Sequence, residues 1–148
     1  RRAVECGAPA VMAGHIRMTA FDPEYPASLS HVLVSEVLRE ELGFTGVVCT
    51  DDLTMGAISD TYGMGEAAVL AVEAGCDLLL VCHGADNLTQ ARQALLGAVD
   101  GGRISPARLE ESVYRILALK AEYGLTNQTV EAPDVAALNQ AVQALLGE

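Results

Sequence analysis

A chain of 148 residues is long enough for one domain with a substantial core. Its formal net charge of −11, from 9 Lys plus Arg against 20 Asp plus Glu, leaves no basic face for nucleic acid. No apolar run reaches the roughly 18 residues a membrane span needs, and 51% hydrophobic with only 4% aromatic residues favours helices packed closely on a sheet over an all-β domain.

Residues 1–6 read as the end of a helix closed by Gly7, and Ala8 to Met12 as a short strand. The sequence opens Arg1-Arg2-Ala3 without a Met, so its start is expected to be a cut. A Pro-interrupted loop runs from His15 to Pro26. Residues 31–42 have α-helical spacing at Val34, Val37, Leu38 and Leu42, with Ser28 or Ser30 as N-cap and Gly43 as stop. Gly46 to Thr50 is a second strand. Asp52 to Tyr62 is a loop or short helix, and 64–74 a helix rich in Ala and Val, closed by Gly75.

Asp77 to Cys82 is a third strand whose unbroken apolar run suits burial on both faces. Asp86 or Asn87 caps a helix over 87–100, and Gly101-Gly102 stops it. Ser105-Pro106 is an N-cap followed by Pro at the first helical position, opening a helix that ends near Gly124. Residues 126–132 are a polar linker, and 134–146 carry Val135, Leu138, Val142 and Leu145 on one helical face. Cys6, Cys49, Cys76 and Cys82 form no CxxC pair. They read as buried free thiols, which favours a reducing, cytoplasmic setting.

The three strands share a rhythm. Gly7, Gly43 and Gly75 each follow a helix-like run, and eight residues after each comes a polar residue ending an apolar run: His15, Asp51 and His83. This predicts three successive βα units, each delivering one polar group to the carboxyl-terminal rim of a parallel sheet, where α/β proteins place their chemistry. Three units do not close a barrel. The fold class is therefore α/β, either a small open sheet or three βα units of a TIM-like (β/α)8 barrel, plus C-terminal helices; the cut start favours the barrel and its C-terminal portion. Domain bounds of 1–125 for the barrel part and 126–148 for linker and helix follow. His15, His31 and His83 lack tight ligand spacing, so no metal or other cofactor is expected.

The residues then become specific. Asp22-Pro23-Glu24-Tyr25-Pro26-Ala27-Ser28-Leu29-Ser30, followed by Leu38-Arg39-Glu40-Glu41-Leu42-Gly43-Phe44-Thr45-Gly46-Val47-Val48-Cys49-Thr50-Asp51-Asp52-Leu53-Thr54-Met55, resembles glycoside hydrolase family 3, most closely its β-N-acetylhexosaminidase branch. Val11-Met12-Ala13-Gly14-His15, Glu73-Ala74-Gly75-Cys76-Asp77-Leu78-Leu79-Leu80 and the helix from Ile104 to Lys120 are similar to the same branch.

The resemblance implies retaining hydrolysis of terminal β-linked N-acetylhexosamine, GlcNAc, from glycans such as peptidoglycan fragments, through a glycosyl-enzyme. The family's nucleophile, the first Asp of its Ser/Thr-Asp-Asp motif, falls on Asp51; a helix-capping Asp is the plainer reading. Asp52 would be its helix-side neighbour. His15 would line the sugar subsite or be a strand-end histidine bonded to backbone; Met55 would pack near the acetamido group or in the core. His83 suits a loop anchor, Asp77 a structural role, and Arg115 and Lys120 salt bridges or cover for apolar surface.

The branch carries its acid/base Asp-His pair, and a Lys-His sugar-binding motif, upstream of the strand ending at His15. Neither is in these residues, so the chain alone is expected to have little or no turnover. Its expected partners are a GlcNAc-containing glycan and either a missing N-terminal barrel half or a second copy paired through open sheet edges. A β-glucosidase of the same family usually has Trp after its catalytic Asp, where this chain has Asp52. A non-catalytic sugar-binding or assembly half-barrel is the alternative outside enzymes. An unrelated phosphate-binding barrel is disfavoured because the loops after the second and third strands lack a Gly-rich cradle.

Overall fold

The computed structural model describes residues 1–147. Three parallel strands, β1 (Ala10–Ala13), β2 (Val47–Asp52) and β3 (Leu78–Leu80), lie side by side in the order β1-β2-β3. Ala10 pairs with Val47 and Ala13 with Thr50; Cys49 pairs with Leu78 and Asp52 with Leu80 across a register shift. The helices are α1 (Arg2–Glu5), α2 (Gly56–Ser59), α3 (Met64–Ala74), α4 (Ala85–Asp100), α5 (Pro106–Glu122) and α6 (Val135–Leu146), with a 3-10 turn at Ala27–Leu29.

Val48, Leu53, Ile58, Ala67, Ala68, Ala71 and Cys76 are almost fully buried, and with Leu29, Val34 and Phe44 they form the core between β2, α3 and the segment 29–44. Small side chains let α3 approach closely: a Cβ on Gly65 would stand 2.8 Å from that of Ala94 on α4. At the entry to β2, a Cβ on Gly46 would stand 2.4 Å from the Pro9 carbonyl, so only glycine lets the strand start against β1. The helices cover one face of the sheet. Val11 and Ala13 pack into the core, while the alternate residue Met12 is 57% exposed. Leu78, aligned with Met12 and Cys49 across the register, is exposed on the same face. The full burial expected for the third strand is therefore not what these residues provide: β3 reads exposed-intermediate-intermediate.

The segment expected as an α-helix over 31–42 is a π-helix, Val32–Glu41, closing with the Leu42 N–H on the Val37 carbonyl. Ser35 and Arg39 on it donate to carbonyls at the end of α3 and just before β2: Ser35 Oγ to Ala74 at 2.8 Å, Arg39 to Gly75 at 3.0 Å and to Gly46 at 3.2 Å. The Ser30 hydroxyl accepts the Leu33 N–H, as its capping position suggested. α4 starts two residues earlier than expected, after Gly84 in a left-handed conformation (φ 78°). Asn87 does not cap it; its side-chain N–H donates back to the His83 carbonyl. Ser105 caps α5 by accepting the Arg108 N–H.

At the amino-terminal end of the sheet, the Asp77 carboxylate has no exposed surface and gathers the surrounding elements. Oδ2 accepts from Arg39 at 2.6 Å and from the Val48 N–H at 3.0 Å. Oδ1 accepts from Ser112 at 2.8 Å and Arg115 at 3.0 Å, with Arg108 3.6 Å away. The structural role expected of Asp77 and the salt bridge expected of Arg115 are both present. None of the described helices is long and apolar enough to cross a membrane.

Candidate active site

β2 runs two residues further than expected, so Asp51 and Asp52 both belong to the strand and alternate across it. Val48 and Thr50, both fully buried, face the helices; Asp52 continues that row. Asp51 belongs to the row of Cys49, on the face that the helices leave open.

The two carboxylates live in different surroundings. Asp52 is nearly enclosed, with 13% of its side chain exposed. Its Oδ1 accepts the Thr54 N–H and the Cys82 N–H, each at 3.0 Å. Its Oδ2 accepts the Thr54 hydroxyl at 2.6 Å, and His83 Nε2 is 3.7 Å away. Burial alone would raise its pKa. The Cys82 N–H and the two Thr54 donors outweigh it and hold the carboxyl at about 2, against an ordinary value of 3.8. β3 stops at Leu80 rather than Cys82, and the Cys82 N–H beyond it donates to the Asp52 side chain.

Asp51 is half-buried, and its Oδ1 accepts the N–H of Asp52 at 2.8 Å. That bond fixes the carboxylate against its own backbone. Among the described residues Oδ2 accepts no hydrogen bond and faces the open side. A carboxylate with one oxygen anchored and the other free can attack an electrophilic carbon.

His15 does not reach into that space with its nitrogens. Nε2 is 2.9 Å from the Asp52 carbonyl and Nδ1 is 2.6 Å from Ser28 Oγ. Of the two roles open from sequence, the structure displays the backbone-bonded one; a sugar could meet only the ring's carbon edges and faces. Met55 is 46% exposed and so is no core residue; its N–H donates to the same Asp52 carbonyl at 3.0 Å. Asp51, His15 and Met55 are thus gathered around one residue, Asp51 on the Asp52 N–H and the other two on the Asp52 carbonyl. His83 is exposed and anchors a loop through Asn87.

Sequence reasoning did not single out Ser28, Thr54 or the Cys82 N–H as supports; the Ser/Thr at Thr54, two residues beyond a strand-end Asp, was the available signal. Among the described residues no cluster of three or more His, Cys, Asp or Glu is arranged to hold a metal ion. All four cysteines are free, but Cys6 and Cys82 are exposed rather than buried.

Residues 1–119 match the family described as "Glycosyl hydrolase family 3 N terminal domain". The chain is 33% identical over 139 residues to a protein of Cellulomonas fimi named "Beta-N-acetylglucosaminidase/beta-glucosidase", covering 87% of this chain and 24% of that protein. It is 32% identical over 145 residues to a "Beta-hexosaminidase" of Nitrosomonas eutropha, covering 96% of this chain and 41% of that one. Among solved structures, a glycoside hydrolase family 3 β-N-acetylglucosaminidase from Paenibacillus sp. str. FPU-7 superposes with a TM-score of 0.84 at 46% identity, over 90% of this chain and 26% of that one. The chain therefore spans between a quarter and about two-fifths of the length of these relatives. With its parallel βα units and its Thr-Asp-Asp strand end, the chain belongs to glycosyl hydrolase family 3.

Proposed function

We propose that this chain carries the nucleophile of a retaining glycosidase that releases terminal β-linked GlcNAc from glycans such as peptidoglycan fragments. The observation that carries the reading is Asp51: a strand-end carboxylate with Oδ1 held by the Asp52 N–H and Oδ2 free on the open face. The names of the Cellulomonas, Nitrosomonas and Paenibacillus relatives support the sugar. Asp52 at the place after the catalytic Asp supports the hexosaminidase branch over a β-glucosidase.

In the first step Asp51 Oδ2 forms a bond to the anomeric carbon as the glycosidic bond breaks, and the leaving oxygen takes a proton from a general acid. In the second, water attacks the same carbon, loses its proton to that group acting as base, and frees Asp51. Neither His15, with both ring nitrogens bonded, nor Asp52, held ionised, is suited to give the proton. The acid/base comes from outside these residues, and the uncovered face and edges of the sheet are the surface on which further barrel strands, or a second copy, assemble. The free thiols favour a reducing, cytoplasmic setting.

The test uses two proteins: this chain, and the Paenibacillus enzyme with its matching quarter replaced by this chain. Each is exposed to a fluorinated GlcNAc donor with a good leaving group and weighed intact. One sugar adduct on Asp51 of the replacement protein, absent after Asp51→Asn, is expected. A protein that binds the sugar and forms no adduct overturns the reading in favour of a non-catalytic binding module. Hydrolysis of an unactivated N-acetylglucosaminide by this chain alone overturns the assignment of the acid/base to other residues.

A further inference from the structure

We propose that His15 and Ser28 are positioning residues for Asp51, acting through the Asp52 carbonyl with the imidazole locked as its neutral Nε2–H tautomer. The proposal rests on Asp51 being the nucleophile.

A carbonyl oxygen only accepts, so the nitrogen 2.9 Å from the Asp52 carbonyl, Nε2, carries the proton. In the neutral ring Nδ1 is then an acceptor, and the donor facing it at 2.6 Å is the Ser28 hydroxyl. Ser28 is fully buried in the 3-10 turn, and its own carbonyl accepts from the Cys76 thiol at 3.5 Å. The imidazole is therefore a strut between the core and the strand end.

What the strut holds is a single residue. The Asp52 carbonyl is fixed by His15 and by the Met55 N–H at 3.0 Å. Its carboxylate is fixed by Thr54 and by the Cys82 N–H beyond β3. With carbonyl and side chain both fixed, the remaining Asp52 group, its N–H, is aimed at Asp51 Oδ1. Asp52 thus joins the ends of all three strands, and the direction of Asp51 is set by that junction. A nucleophile displaced by roughly 1 Å loses about 100-fold in rate, while the sugar's other contacts remain. Loss of the strut should lower the rate of attack and leave sugar affinity alone. A residue that merely stabilises the fold would lower neither selectively.

The first measurement is the nitrogen chemical shifts of His15 in this chain at neutral pH. The Nε2–H tautomer is expected, and Ser28→Ala should let the ring exchange between tautomers. An Nδ1–H tautomer, or free exchange in the unaltered chain, overturns the proposal. The second is the rate of Asp51 labelling in the replacement protein. The amide of His15→Gln reaches the place of Nε2 and can donate to Asp52; that of His15→Asn reaches only the place of Nδ1. Labelling within about 3-fold of the parent for Gln, and roughly 10- to 100-fold slower for Asn at unchanged sugar affinity, is expected. Equal rates in the two variants, or a loss confined to affinity, overturn it. Failure of the parent itself to label would instead strike the nucleophile assignment, with the tautomer result standing apart.

Discussion

Asp51 and Asp52 are adjacent in the chain and face opposite sides of the sheet, joined by one hydrogen bond from the Asp52 N–H to Asp51 Oδ1 at 2.8 Å. The strand's alternation gives one carboxylate to the core side and one to the open side. Three donors hold the first and a single one holds the second. Like charges so close in sequence are separated in task by the pleat.

Asp51, the proposed nucleophile, should be dispensable for folding. Asp51→Asn in the replacement protein is expected to abolish the sugar adduct and lower turnover by at least ~1,000-fold, with thermal melting nearly unchanged. Asn can still accept the Asp52 N–H. A variant that keeps a tenth of the activity would exclude Asp51 as nucleophile.

Asp52 should behave in the opposite way. Its carboxyl is held at about 2 against 3.8. A carboxylate depressed on folding contributes stability that is fully present above its unfolded value and disappears as pH falls through its folded value. Asp52→Ala is expected to cost about 1–2 kcal/mol in urea unfolding at neutral pH. The difference from the parent should shrink between pH 4 and pH 2. A difference independent of pH across that window would mean that the lost charge is not the cause.

Two arginine clusters should respond very differently to truncation. Asp77, enclosed by Arg39, Arg108, Arg115 and Ser112, leaves three guanidinium groups uncompensated when removed, and Asp77→Ala is expected to cost about 3–5 kcal/mol. Arg103 grips Glu66 and Glu73 with bonds of 2.6 to 2.9 Å, but it is 42% exposed. Arg103→Ala should cost under about 1 kcal/mol and lose its effect in high salt. Urea titrations at two ionic strengths compare them.

Gly75 ends α3 at φ 114°, and a Cβ there would stand 2.6 Å from Ser35 Oγ. Gly75→Ala is expected to lower stability by roughly 1–3 kcal/mol. Adding Ser35→Ala removes the contact but not the backbone strain, so recovery should be partial. A double-mutant cycle with no coupling would show that the clash is relieved by a shift of the π-helix.

Much of the fold was legible because its signals are local. Glycines at fixed distances before polar strand ends placed all three strands, and Ser105-Pro106 placed the start of α5. The π-helix was not legible: Ser35 and Arg39 on it donate to the carbonyls of Ala74, Gly75 and Gly46, which they meet only after the strands have assembled. At the site, the strand end showed the pair Asp51-Asp52, and only the family resemblance singled out Asp51 as the expected nucleophile. The support from Ser28, thirteen residues from His15, and from the Cys82 amide, thirty residues from Asp52, depends on tertiary contact. The Asp77 cluster shows the same limit. Its structural character could be read from its place at the start of a strand, but not the convergence of arginines from two helices.

The Asp77 cluster and the Asp51–Asp52 pair sit at opposite ends of the same short sheet. One end carries charge sealed beneath arginines, and the other carries a carboxylate open to exchange. Exposed positions on the open face beside Asp51, unlike Asp52, can therefore be sampled by evolution for new substrates with little effect on whether the chain folds, because the sealed charge lies a full strand length away.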